Sequence, residues 1–254
     1  MNMYESIFAR KATKKFIMEK IVQNTLDGIM RFANGLPMLI EHVSAEYRLI
    51  DNTNNSITEY PIKAPYYFAL TCDKDENSLL NAGYLIQQMV LFLSAKGFGT
   101  YYLSHFAKEG ITRESSQNQQ DPTVVIAFGK AKGSIIRDTK KPRRLSENNT
   151  VIYKAEVGNH VKLMIKGARL APSYLNSQPW RFVVYDNRIH IFGKKNFLFE
   201  GVLHNTKTID MGIMIANLLQ VAEELWIDVE VKKLENINNK NFKNNEYVIS
   251  VLIK

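Results

Sequence analysis

The chain has 254 residues, 45% of them hydrophobic, and a formal charge of +8, enough apolar material for one large domain or two small ones. No run reaches the roughly 18 to 20 apolar residues that span a bilayer, and the opening MNMYESIFARKATKKF lacks the apolar block of a signal peptide, so a soluble, cytoplasmic protein without a membrane partner is expected. The single cysteine, Cys72, excludes an internal disulfide and reads as a buried thiol.

The basic residues bunch in RKATKK at 10–15 and KKPRR at 140–144, which points to an anionic partner. A nucleic-acid module would need a long basic face or a recognisable motif, and the sequence offers no zinc-ligand spacing, helix-turn-helix or RNA-binding signature. Two readings stay open for the clusters: solvated charge runs, or cations that hold a small phosphorylated ligand.

In chain order, Ile21, Val22, Thr25, Leu26, Ile29 and Met30 recur at the spacing of one buried face and predict a helix over 19–32. EYRLID reads as a strand that runs into a DNTNN turn, and APYYFALTC as a second strand. A nearly continuous apolar helix is predicted over 81–96, closed by the glycines of KGFG. DPTVVIAFGK then reads as a fully buried strand and KKPRRLSENN as a connector.

The second half repeats this order: a helix over 157–170, strand WRFVVYDN, strand RIHIFGK, a helix over 209–225, and strands at 228–234 and in YVISVLI. Gly28 with Gly167, Asp51-Asn52 with Asp186-Asn187, and Gly83 with Gly212 hold their places under this alignment. The expected organisation is a first half over 1–139, a basic connector over 140–156 and a second half over 157–254, joined as one intimate domain. Each half carries a central helix apolar nearly all round, and the expected solution packs 81–96 on 209–225, with a ligand crevice where the halves meet.

The most unusual stretch is APSYLNSQPWRF at 171–182. Pro172 and Pro179 restrict the backbone, Asn176 and Gln178 offer donors and acceptors, and Trp180 adds a large apolar surface with one N–H. From the residues alone, a buried turn whose amides cap a neighbouring helix and a loop that reads the edge of a flat heteroaromatic ring are both open.

This stretch resembles the A-P-S-x-x-N-x-Q-P-W-x-F motif of the nitroreductase family of FMN-dependent oxidoreductases. ARKATKKF at the N terminus is similar to the family's R-[RH]-S-x-R-x-F: Arg10, Lys11, Lys14 and Phe16 match, while Ala12 stands for its serine and Lys14 for its second arginine. APYYFALTC, NAGYLIQQMVLFLSAKGFGTYYL and VVIAFGKA…KKPRRL are similar to its A-P-led strand, its central helix and its closing strand with a basic tail. The departure is one of place. Family members carry the Q-P-W loop just after the first helix, where this chain has FANGLPMLIEHV, so the resemblance is to the tandem, fused-dimer branch.

The resemblance implies an α+β, three-layer nitroreductase-like fold built as an intramolecular pseudo-dimer, monomeric, with one FMN per chain. Its second, reciprocal site would be degenerate around Leu36-Pro37. The implied cofactor-binding residues are Arg10, Lys11, Ala12, Lys14, Ser104, His105, Arg143, Arg144, Pro172, Ser173, Tyr174, Asn176 and Gln178. Arg10, Arg143 and Arg144 would meet the phosphate, Lys14 the charge that builds on the reduced ring, and the segment around Ser104 and His105 the reactive N5. NAD(P)H would be the reductant and a small molecule such as a quinone or nitroaromatic the acceptor. No catalytic side chain and no metal is called for. The alternatives are a flavin-binding protein without turnover, for storage or sensing, and a basic nucleic-acid module.

Overall fold

The computed structural model describes residues 1–58, 60–103, 121–138, 142–195, 202–237 and 244–254. The chain forms two compact units, Met1–Lys141 and Pro142–Lys254.

The first unit opens with α1 (Met3–Ala9), a helix absent from the periodicity reading. Its signal is local: the Asn2 side chain accepts from Glu5 N–H at 2.7 Å and Glu5 Oε2 accepts from Asn2 N–H at 2.8 Å, a reciprocal capping box. The next helix, α2 (Gln23–Asn34), starts later than the expected residue 19. Val22 has φ −59° and ψ 134°, outside the helical region, and Ile21 donates its N–H to the Tyr66 hydroxyl at 3.2 Å, so residues 19–22 are not helical. Strands β1 (Glu46–Asp51), β2 (Tyr66–Thr71), β3 (Gly99–Tyr102) and β4 (Val124–Gly129) pair antiparallel in the order β1-β2-β4-β3. Strand β3 was not anticipated, because GTYY is too short to show a period of two.

The central helix α3 (Glu76–Ala95) begins before the expected residue 81. Asp75 accepts from Asn77 N–H and Ser78 N–H at 2.9 and 3.1 Å and satisfies two amides that the first turn leaves open. By length and composition α3 could cross a membrane, but most of it is buried in this protein, packed by α1, α2, β2, β3 and β4.

The second unit contains β5 (Val151–Tyr153), α4 (Asn159–Arg169), β6 (Trp180–Val184), β7 (Arg188–Lys194), α5 (Val202–Glu224), β8 (Val229–Lys232) and β9 (Asn245–Ile253). Its sheet runs β5-β6-β7-β9-β8, with only β5 parallel to its neighbour. Helix α5 begins earlier than the expected residue 209, and β5 arises inside the stretch read as a plain connector. Apart from β5, the sheet order β6-β7-β9-β8 follows the same connectivity as β1-β2-β4-β3, and in each unit the long helix lies between the second and third of these strands in sequence. The core of this unit holds Trp180, Phe182, Ile189 and Ile191 from the sheet and Val161, Met164, Met214 and Leu218 from the helices, all buried.

Candidate functional site

The basic N-terminal segment of the first unit is a strap fixed by its backbone. Lys11 N–H donates to Ile135 O at 2.9 Å, Thr13 N–H to Thr100 O at 2.9 Å and Ile17 N–H to Lys130 O at 2.8 Å. Residues 10, 13 and 16 turn inward, while Ala12 and Lys14 are exposed and Lys11 is half-buried. Gly99 permits the close pass: a Cβ there would stand 2.5 Å from the Thr13 hydroxyl. Phe16 anchors the strap among Tyr60, Tyr67, Leu103, Val125 and Ala127.

Arg10 is the unusual member. It is 8% exposed, and its guanidinium donates to Thr100 Oγ1 at 3.1 Å. Its Nε and the neighbouring Thr13 hydroxyl find no hydrogen-bond partner, and among the described residues no carboxylate pairs with it. Burial pushes the Arg10 pKa down; the nearby Tyr102 opposes that shift and Arg137 adds to it. Arg137 in turn donates to Arg10 O at 2.9 Å, which places a second cation beside the first. A buried cation without a counter-charge is costly, and an anion would relieve that cost.

In the second unit, the motif 171–178 follows the end of α4 as a tight turn. Leu175, Asn176 and Gln178 have φ of +48°, +56° and +48°, a left-handed conformation that costs non-glycine residues on the order of 1 kcal/mol each. Local bonds hold it: Asn176 N–H donates to Ser173 O at 3.0 Å, Ser177 N–H to Tyr174 O at 3.0 Å and Gln178 N–H to Ser173 Oγ at 3.0 Å. Leu175 at the tip is 83% exposed, whereas Trp180, just past the turn, is wholly buried.

The two amides, for which a structural turn and a ligand edge were both open, are engaged inside the unit. Gln178 Oε1 accepts from Leu145 N–H at 2.8 Å and its Nε2 donates to Asn176 O at 3.2 Å. Asn176 Nδ2 donates to Arg143 O at 3.2 Å, and its Oδ1 accepts from Arg144 at 3.3 Å. Arg144 itself donates to Arg169 O at 3.0 Å, Leu170 O at 2.8 Å and Ala171 O at 3.2 Å, the carbonyls of the last residue of α4, its C-cap and the residue after it. Arg144 thus binds the connector to the helix end, while the exposed Arg143 side chain makes no hydrogen bond or ion pair among the described residues. Pro172, Ser173 and Tyr174 are half-buried on the rising limb of the turn. Ser104 and His105 lie outside the described residues.

Asp210 on α5 was missed at the sequence level. It is 5% exposed and takes the Tyr174 N–H on both oxygens, at 3.2 and 2.9 Å. Burial pushes its carboxyl up to about 8, and the Tyr174 bond offsets only part of that. A lone acid in the apolar run IDMGIMIANLL was the available signal.

The match to a family model described as "Putative TM nitroreductase" covers residues 2–222. No curated protein sequence matches the chain. Among solved structures, a "putative nitroreductase" of Thermotoga maritima aligns over 100% of this chain and 94% of its own, at 19% identity and a TM-score of 0.70. A nitroreductase with bound FMN from Desulfitobacterium hafniense aligns over 60% of this chain and 98% of its own, at 14% identity and a TM-score of 0.46. The mixed helix and sheet architecture is therefore that of the nitroreductase fold, and the chain belongs to the nitroreductase family whose model spans residues 2–222.

Proposed function

We propose that the protein is an FMN-dependent oxidoreductase that uses NAD(P)H and a small acceptor such as a quinone or nitroaromatic. The observation that carries this reading, given the family, is Arg10: a buried guanidinium with an orphaned Nε and no carboxylate partner among the described residues fits a site made for a phosphate. Bound FMN would supply the hydride chemistry, accepting a hydride from NAD(P)H at N5 and passing it to the acceptor.

The chain's own residues would bind and tune. Arg10 in the first unit and Arg143 in the second are the two phosphate candidates, with Lys11 beside the first. Lys14, exposed on the strap, is the candidate to stabilise negative charge on the reduced ring and so raise its potential. Asn176, Gln178 and Arg144 are assigned to shape the turn, because their polar atoms are engaged by the loop and connector; Tyr174 and Ser173 then present that turn to the ring. The shared connectivity of the two sheets supports the further reading that the units arose by duplication as a fused pseudo-dimer.

Anaerobic stopped-flow on the purified protein tests the reading. A yellow protein that NADH or NADPH bleaches and a quinone recolours is expected. A yellow protein bleached by neither nicotinamide would make it a flavin binder without turnover, and a colourless protein that does not take up added FMN would remove the flavin altogether. Lys14→Ala should lower the flavin potential, and an unchanged potential rejects that role.

A further inference from the structure

Asp210 is a buried acid to which the flavin chemistry assigns no task. Its one hydrogen-bond donor among the described residues is the Tyr174 N–H, and a carboxyl so poorly compensated is expensive to keep in an apolar helix. Tyr174 opens the run in which Leu175, Asn176 and Gln178 all take positive φ. The connector holds one side of that turn through Gln178, Asn176 and Arg144, and Asp210 holds the other from α5. A strained backbone persists only where its surroundings over-determine it, and these are the surroundings.

The first unit contains the same latch in a different chemical form. Asn81 stands two residues before Gly83 on α3, as Asp210 stands two before Gly212 on α5. Its Oδ1 accepts from Leu39 N–H at 2.7 Å and from Ile40 N–H at 3.2 Å, and its Nδ2 donates to Ile40 O at 3.3 Å and Asn77 O at 3.1 Å. Leu39 follows Pro37 by two residues, and Tyr174 follows Pro172 by two. In both units a central-helix side chain thus captures the backbone of the loop that follows the preceding helix. The second unit places three left-handed residues within four positions of the captured amide; in the first, residues 36 to 41 keep negative φ and a single left-handed residue, His42, follows two positions after Ile40.

We propose that Asp210 is a positioning residue: by accepting the Tyr174 N–H it holds the 173–178 turn in its strained form and so sets the surface that the turn offers to the flavin. The effect on flavin rests on the reading given above, whereas the latch is a property of the protein alone. The task requires an acceptor oxygen and not a charge, since the amide of Asn81 performs it in the first unit.

Amide hydrogen exchange at Tyr174 in flavin-free protein, and FMN affinity by fluorescence quenching, are measured for the wild type, Asp210→Asn, Asp210→Ala and Asp210→Leu. Alanine and leucine should each speed exchange at Tyr174 by at least about tenfold and weaken FMN by a similar factor, as loss of one buried acceptor implies. Asparagine should restore both to within about twofold of the wild type. Leucine fills the volume without an acceptor and keeps the test valid if alanine collapses the site. Wild-type exchange in both the alanine and leucine variants, or an asparagine variant as impaired as they are, overturns the proposal. So does faster exchange in those variants with FMN affinity unchanged. A wild type that binds no FMN removes the flavin reading, and the latch is then judged by exchange alone.

Discussion

The Arg144 guanidinium lies 3.3 Å from the Asn176 amide oxygen and, on its other side, caps the carbonyls of Arg169, Leu170 and Ala171. One side chain therefore binds the connector, the end of α4 and the turn together, a task suited to a planar fork with several N–H donors. Arg144→Ala should lower unfolding free energy by about 1–2 kcal/mol, as loss of several bonds from a charged donor to partly solvated carbonyls implies. Arg144→Lys should recover less than half of that, since an ammonium cannot reach both faces at once. Chemical denaturation of the three proteins measures the series; equal stability of all three would show that solvent replaces the clamp.

Arg10 should behave in the opposite sense. Its guanidinium is buried without a carboxylate partner among the described residues, so Arg10→Met, which keeps the length and removes the charge, should leave flavin-free stability unchanged or raise it by about 1 kcal/mol. The same change should weaken FMN binding by about tenfold or more. Thermal unfolding with and without FMN separates the two effects. A large loss of flavin-free stability would make Arg10 a structural residue.

His190 gives a pH dependence on the acid side. Its Nε2 accepts from Arg188 Nε at 3.2 Å, so the ring proton sits on Nδ1 and points to Ser250 Oγ at 2.7 Å, which in turn meets the Tyr247 hydroxyl at 2.8 Å. Burial, and then Arg188, hold its pKa below the ordinary 6.5. With the folded value depressed, the unfolded chain takes up the proton first. This contribution is complete above pH 6.5 and is lost as pH falls below that toward the folded value. The midpoint difference between wild type and His190→Gln, measured from pH 7.5 to 5, isolates this contribution from groups of opposite sign: it should change in the direction that costs the wild type stability as pH falls below 6.5, and a difference independent of pH would reject the role.

Asp210 acts with the other sign. Its carboxyl is raised from 3.8 to about 8, so between those values the folded protein keeps a proton that the unfolded chain has released. The stability it contributes is fullest below pH 3.8 and declines as pH rises through 8. Asp210→Asn should remove that decline, most visibly between about pH 5 and 8; an unchanged slope would mean that the carboxyl is already ionised at neutral pH.

Sequence alone determined the apolar periodicities and the short-range motifs. The burial of β2 and β4, the central helices and the strands β6, β7 and β9 were legible because each is a long apolar run or a clear alternation. The strap and the 171–182 motif stood out by composition, and Asp210 beside Gly212 was readable in principle. Only the tertiary structure decided how the polar side chains are used. Asn176, Gln178 and Arg144 look like ligand-binding residues as types, yet their partners include backbone groups of Arg143, Leu145 and Arg169, 33, 33 and 25 residues away in sequence. Arg10 stood out in sequence as one cation of a basic run, but its burial against Thr100 and Arg137 is a fact of the fold alone. A hydrogen bond is set by distance and direction between groups that the fold brings together, and a linear chain specifies the groups but not the meeting.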